Sequence, residues 1–180
     1  IDFRYMFSGC QALHTLTVGS QFKASHATSM AYMFRNCKSL TQFTAPTDTS
    51  LVTSMAGTFQ NCEKLQTLDI SHLDTKNVTT MNGMFNGCAQ LQTLDLSHFD
   101  TGKVTSMRCM FQGCSALQSL DIRNFSTANL TGTNTQLYNM FSRCTSLSSS
   151  TIGENFSFKG NGLTDSSYWA YLPSPPSGTT

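Results

Sequence analysis

Apolar residues recur along this chain in a fixed order that repeats every 26 residues. The unit is clearest over residues 81–105, which read M-x-x-M-F-x-x-C-x-x-L-x-x-L-D-L-S-x-F-D-T-x-x-V-T. The same order returns from Met107 and from Met55, and it extends more loosely over residues 3–152. Self-similarity at a period of roughly 20–50 residues indicates stacked structural repeats. The pattern therefore predicts a solenoid of about six coils over residues 1–152.

Each unit contains two kinds of hydrophobic spacing. The end of L-x-x-L-D-L-S alternates apolar and polar residues, as a half-buried strand does. M-x-x-M-F-x-x-C spaces its apolar residues at i, i+3 and i+4, which predicts one or two turns of α- or 3₁₀-helix held by packing. We therefore predict an α/β, leucine-rich-repeat-like fold. Its strands form a parallel sheet, and Met, Phe, Cys, Leu and Val face inward.

The pattern ends after Ile152. Residues 153–180 are predicted to form a C-terminal cap, with strand-like pieces around residues 155–158 and 168–172. The final PSPPSGTT is typical of a linker. A longer spacing between Cys114 and Cys144 predicts a polar bulge over residues 131–136.

Composition narrows the class of protein. The formal net charge is +1, so neither a nucleic acid nor an acidic membrane surface is indicated as a partner. Only 12% of residues are charged, which leaves a surface rich in hydroxyl and amide groups. No apolar run reaches the length needed to span a bilayer. This composition favours an extracellular location, either secreted or at a cell surface.

Seven cysteines would suggest disulfides in a small secreted protein. One cysteine per repeat, however, occupies the same position, and side chains in such a column rarely meet disulfide geometry. We interpret this column as buried free thiols that act as small hydrophobic side chains; its members are Cys10, Cys37, Cys62, Cys88, Cys114 and Cys144.

The strings M-F-x-x-C-x-x-L-x-x-L-D-[IL]-S-x-[FL]-D-T-x-x-V-T-x-M between Met55 and Met107 resemble a known unit. It is the 26-residue repeat of bacterial surface proteins, the Mycoplasma-type lipoprotein repeat, which is akin to BspA-type leucine-rich repeats. The resemblance implies an extracellular or anchored bacterial protein, often presumed an adhesin. It implies no catalytic motif and no common ligand.

Three columns of polar residues occupy the predicted outward face of the strands. We interpret them as the candidate binding surface, although a merely soluble sheet face would use the same residue types. The stacked aspartates could also hold a cation, or simply bond to neighbouring hydroxyl and backbone groups. The candidate residues are Gln66, Thr67, Asp69, Gln92, Thr93, Asp95, Gln118, Ser119 and Asp121.

Two further columns are better explained by local structure. Asp48, Asp74 and Asp100 each precede a threonine, which predicts turns capped by both side chains. His72 and His98 are in register, but no further metal ligand accompanies them, so we interpret them as solvated turn residues. No phosphate loop, zinc cysteine pair or nucleophile motif is present, and we expect no enzyme activity and no cofactor.

The resulting hypothesis is an adhesion or binding module that recognises a host protein or a carbohydrate through its strand face. Two alternatives remain open. The repeats could be a spacer or stalk that projects another domain, or the threonine positions could bind ice. Gln42, at the equivalent position of the second repeat, weakens the second alternative.

Overall fold

The computed structural model describes residues 2–18, 22, 24–130 and 136–156. Its strands are short and pair in parallel with strands of neighbouring repeats, which we number 1 to 6 in chain order. One sheet has the order β1-β2-β3, and the other consists of β4 and β5. The strands are β1 (Thr15–Leu16), β2 (Gln42–Thr44), β3 (Thr67–Asp69), β4 (Ser119–Ile122) and β5 (Ser149–Ile152).

A second ladder joins the repeats at the other end of each unit. Isolated parallel bridges link one residue of each repeat to the next, in the order Asp2, Ser29, Ser54, Thr80 and Ser106. Each of these residues immediately precedes the first apolar residue of the M-x-x-M-F-x-x-C segment. Neighbouring repeats are therefore tied together on both sides of that segment.

The predicted helical turns are wrong. Within the described residues, the M-x-x-M-F-x-x-C segments form successive turns, and no α-helix is present. Two positions of each segment have φ in the left-handed region, for example Gly57 (φ 59°) and Asn61 (φ 59°). A helix needs negative φ at every residue, so two such residues four apart exclude it. The fold is a β-and-turn repeat structure rather than an α/β one.

These turns divide their backbone hydrogen bonds between two partners. Gly57 and Phe59 donate to the carbonyls of Asn82 and Met84 in the next repeat, at 2.8 and 2.9 Å. The following residue, Gln60, donates within its own repeat, to the Gly57 carbonyl at 3.0 Å. The alternation satisfies the backbone without regular secondary structure. Each repeat therefore depends on the next repeat to accept hydrogen bonds from every second amide of this segment.

The predicted parallel pairing is observed, but the strands do not form one continuous sheet. Residues 91–96, between β3 and β4, adopt no regular strand. The Gln118 amide still donates to the Gln92 carbonyl at 3.2 Å, so contact with repeat 5 is kept.

The core is a continuous column rather than a sphere. One phenylalanine per repeat stacks on the next, with centroids 5.3–6.0 Å apart and planes within 9° of parallel. Such pairs contribute about 0.5–1.5 kcal/mol beyond the area that they bury. The column consists of Phe7, Phe34, Phe59, Phe85, Phe111 and Phe141.

The cysteine column lies beside the phenylalanines, and all its thiols are free. From the second repeat on, these thiols are at most 2% exposed, whereas Cys10 is exposed. Each buried thiol donates to the phenylalanine carbonyl of the preceding repeat at 3.0–3.2 Å, as Cys88 does to Phe59. A sulfhydryl at this position therefore fills space and satisfies a carbonyl of the neighbouring repeat.

The last described segment closes against repeat 5. Gly153 passes so near Arg123 that a Cβ there would lie 1.8 Å from the Arg123 carbonyl oxygen, so only glycine fits. Phe156 is buried, and the Asn155 carbonyl accepts a hydrogen bond from the Thr127 amide. Residues 155 and 156 thus form no strand, contrary to the prediction. The rest of the predicted cap and most of the predicted bulge lie outside the described residues.

Candidate ligand-binding face

All nine candidate residues lie on the strand side of the repeats, and all but one are exposed. The exception is Asp121, which is half-buried and whose carboxylate pairs with Arg123 at 2.7 Å. Thr67 and Asp69 lie in register with Gln42 and Thr44 of β2. The alternating exposure that the sequence predicts for this face is therefore observed.

The structure brings four of the nine candidates into one concavity, which we call the strand groove. It has a volume of about 450 Å³ and spans repeats 1 to 4. Its lining consists of Thr15, Leu16, Thr17, Gln42, Phe43, Thr44, Thr67, Leu68, Asp69, Thr93 and Asp95. Threonine hydroxyls and one amide surround three apolar side chains, and the charged groups of the lining are the two aspartates. Gln66, Gln92, Gln118, Ser119 and Asp121 are not part of this lining.

The aspartates of this column are held by their own turns. Asp69 Oδ1 accepts bonds from the Ser71 hydroxyl (2.7 Å) and amide (3.1 Å), and Asp95 Oδ1 accepts one from the Ser97 amide (2.9 Å). The bond from the Ser71 hydroxyl is the main cause that lowers the pKa of Asp69, and the Ser97 amide does the same for the pKa of Asp95. Both carboxylates are therefore anionic at neutral pH and are fixed in direction.

The amide column forms only part of a ladder. Gln66 Nε2 donates to Gln90 Oε1 at 3.3 Å rather than to Gln92, the residue at the equivalent position. The threonine column is interrupted as well, because Gln42 lies directly between Thr15 and Thr67. A regular threonine lattice, which ice binding through this face would require, is absent from the described strand face.

The Asp-Thr columns behave differently from the prediction in one respect. Asp74 and Asp100 cap local turns, with their Oδ1 atoms bonded to the amides of Lys76 and Gly102. Thr75, however, points inward. Its hydroxyl is buried, accepts a bond from the Asp100 amide (2.8 Å) and donates to the Asp100 carbonyl (3.0 Å). Inward placement lets one hydroxyl pair with both groups of a backbone unit in the next repeat.

The histidines His72 and His98 are exposed. Within residues 2–18, 22, 24–130 and 136–156, no three His, Cys, Asp or Glu side chains are close enough to share a metal ion. In the same residues, no helix is long and apolar enough to cross a membrane.

The structure also shows two surface features that sequence reasoning missed. The first is a column of exposed threonines beside the isolated parallel bridges, which consists of Thr28, Thr53, Thr79 and Thr105. From Thr53 on, each hydroxyl donates to the backbone carbonyl of the preceding threonine in the column. Next to it, Tyr5 and Tyr32 stack on the surface with their centroids 5.1 Å apart. The signal for the tyrosines was their departure from the repeat pattern, which a search for shared positions passes over.

Comparison with known structures defines the class of fold. A leucine rich cell surface protein from Faecalibacterium prausnitzii A2-165 matches with a TM-score of 0.51 at 20% identity, covering 91% of this chain and 38% of that one. A leucine-rich-repeat protein of T. pallidum matches with a TM-score of 0.43 at 16% identity, covering 70% of this chain and 63% of that one. The first of these two likenesses shows that the fold is of the leucine-rich-repeat class. The chain spans less than two thirds of the length of either protein.

Comparison with family models identifies the family. The model described as "Mycoplasma protein of unknown function, DUF285" matches residues 1–68 and 28–155. The chain belongs to this family, which confirms the resemblance carried by the 26-residue repeat. No curated protein matches the chain.

Proposed function

We propose that this chain is an extracellular, cell-surface binding module that recognises a host protein or glycan through its strand face. In this proposal the parallel ladders stack the repeats into a solenoid of about six coils, and the strand groove is the centre of recognition. The role is binding without catalysis. The leucine rich cell surface protein that shares the fold supports this location, as does the weakly charged surface.

The observation that carries the proposal is the strand groove itself. Three apolar side chains, Leu16, Phe43 and Leu68, contribute to a lining whose other members are polar. A concavity that combines apolar surface with a few oriented polar groups is the usual form of a ligand site. Its polar groups are also held in place, since Asp69 and Asp95 are bonded to their own turns. Fixed groups lose little conformational entropy when a ligand binds.

The test is a binding screen of this chain against a glycan array and a panel of extracellular-matrix proteins. A triple variant, Asp69→Asn, Asp95→Asn and Gln92→Ala, removes the charges and one amide of the strand face. Asparagine keeps an oxygen that can accept the turn hydrogen bond, so the fold should persist. We expect at least one specific partner and a loss of about tenfold or more in affinity in the variant.

A matched control is Thr79→Ala, which changes an exposed residue of the other face. It should bind as the wild type does. If no partner is found for the folded chain, or if the triple variant and the control bind equally well, recognition through the strand face is refuted. The spacer hypothesis would then be favoured.

A further inference from the structure

A second groove lies on the turn side of repeats 1 to 3 and shares no lining residue with the strand groove. Its volume is about 420 Å³. We call it the tyrosine groove; it is lined by Asp2, Arg4, Tyr5, Thr28, Ser29, Ala31, Tyr32, Thr53, Ser54 and Ala56.

The two tyrosines occupy positions whose backbone conformation is unfavourable for a bulky residue. Tyr5 and Tyr32 have φ of 60° and 59°, in the left-handed region. The same position in repeats 3 and 4 is Gly57 and Gly83, residues that adopt this conformation without strain. A bulky side chain there is a genuine outlier, and such outliers concentrate at functional sites. The strain at these two bulky residues is one observation that favours a role for the aromatic rings beyond packing.

The two tyrosine rings form a stacked pair at the surface. Tyr5 and Tyr32 are stacked with an interplanar angle of 13°, and Tyr5 is 52% exposed. The Tyr32 ring packs against Gly57, where a Cβ would lie 2.4 Å from the ring. A glycine at position 57 therefore leaves the space that this ring position needs. The Arg35 guanidinium lies 5.6 Å from the centre of the Tyr32 ring and helps to hold it.

The floor of the groove is made by small side chains. Ala31 and Ala56 stand where repeats 4 and 5 carry the larger Asn82 and Arg108, and the lining of the groove ends at repeat 3. The remaining lining is almost entirely hydroxyl groups. The two charged side chains, Asp2 and Arg4, form an ion pair at 2.7 Å, so the groove is electrically neutral.

We propose that the tyrosine groove binds a neutral saccharide. The C–H bonds on one face of a pyranose ring carry partial positive charge, which matches the negative face of an aromatic ring. Tyr5, which is 52% exposed, is the ring of the pair that is available for this contact. The sugar hydroxyls both donate and accept hydrogen bonds, and the serine, threonine, aspartate and arginine groups of this groove supply both functions. A charged ligand finds no excess of opposite charge here. This site adds to the strand face and does not depend on it.

The experiment is saturation-transfer NMR of the whole chain with four neutral probes: cellohexaose, maltohexaose, mannohexaose and N-acetylchitotetraose. We expect transfer to at least one probe, strongest at its ring C–H protons. In the double variant Tyr5→Gly and Tyr32→Gly, affinity for that probe should fall by about tenfold or more. Glycine already occupies this position in two repeats, so the variant should fold.

Two further variants make the result specific. Tyr5→Asn with Tyr32→Asn repeats the test, because Asn139 adopts the same conformation in repeat 6. The strand-face variant Asp69→Asn with Asp95→Asn should bind the probe as the wild type does. The proposal is overturned if none of the probes binds, if both tyrosine variants bind normally, or if binding is lost only in the strand-face variant. That last outcome would leave the strand-face proposal intact.

Discussion

The buried cysteine column makes the stability of this protein sensitive to alkaline pH. Burial raises the pKa of Cys37 to about 11 and that of Cys144 to about 12. It raises the pKa values of Cys62, Cys88 and Cys114 as well. In the unfolded chain a thiol ionises near pH 8.5. The folded state therefore retains protons that the unfolded state loses.

The sign and size of the effect follow from proton linkage. A group whose pKa is raised by folding stabilises fully below its unfolded pKa and loses that contribution as pH rises. Each thiol that stays protonated in the folded state lowers the free energy of unfolding by up to about 1.4 kcal/mol per pH unit above pH 8.5. Five buried thiols together give a limiting slope of ~7 kcal/mol per pH unit. A domain of ordinary stability, about 5–15 kcal/mol, would unfold near pH 10.

The assay is urea unfolding followed by circular dichroism from pH 7 to pH 9.5, in the presence of a reductant that keeps the thiols free. The matched control is Cys88→Ser with Cys114→Ser, which keeps a donor for each phenylalanine carbonyl but does not titrate in this range. Its slope should be shallower by about 2.7 kcal/mol per pH unit. Equal slopes in the two proteins, or a free energy of unfolding that is constant from pH 8 to pH 9.5, would refute the reasoning.

Two further predictions concern single contacts between repeats. Thr75→Val should lower the free energy of unfolding by about 1–3 kcal/mol, because it leaves the Asp100 backbone without its hydroxyl partner; thermal unfolding measures this, and the exposed Thr79→Val should change stability by less than about 0.5 kcal/mol. Gly57→Ala should destabilise through its left-handed φ and through the clash with the Tyr32 ring. Adding Tyr32→Gly should restore the part due to the clash, so a double-mutant cycle that showed no coupling would contradict the contact.

The sequence predicts the core of this protein well because the same 26-residue unit recurs along the chain. A residue that faces inward in one repeat must face inward in the next, so the period alone identifies Met84, Phe85 and Cys88 as buried. The same logic predicts the exposure of Thr67 and Thr93 on the strand face. A repeat period shows which side chains occupy equivalent positions, and equivalent positions are buried or exposed together.

Periodicity does not report the backbone conformation between those side chains. The spacing i, i+3, i+4 fits a helical turn, but it fits equally a chain of turns in which every second amide bonds to the next repeat. The signal that separates the two is Gly or Asn at the left-handed positions, as at Gly83 and Gly87. Tyr5 and Tyr32 occupy one of these left-handed positions in the first two repeats. They make the signal harder to recognise in the sequence, because tyrosine does not suggest positive φ.

The two grooves illustrate how a repeat protein acquires distinct sites. Many recurring positions serve the scaffold: Asp69, for example, is bonded to its own turn, and Cys88 is bonded to the neighbouring repeat. A ligand can be confined to one part of the column only where repeats differ, because identical repeats would offer an identical surface along the whole column. The replacement of small residues by Tyr5 and Tyr32, and of a threonine by Gln42, are such differences. Both fall in the first two repeats, so the recognition that we propose is concentrated at that end of the column.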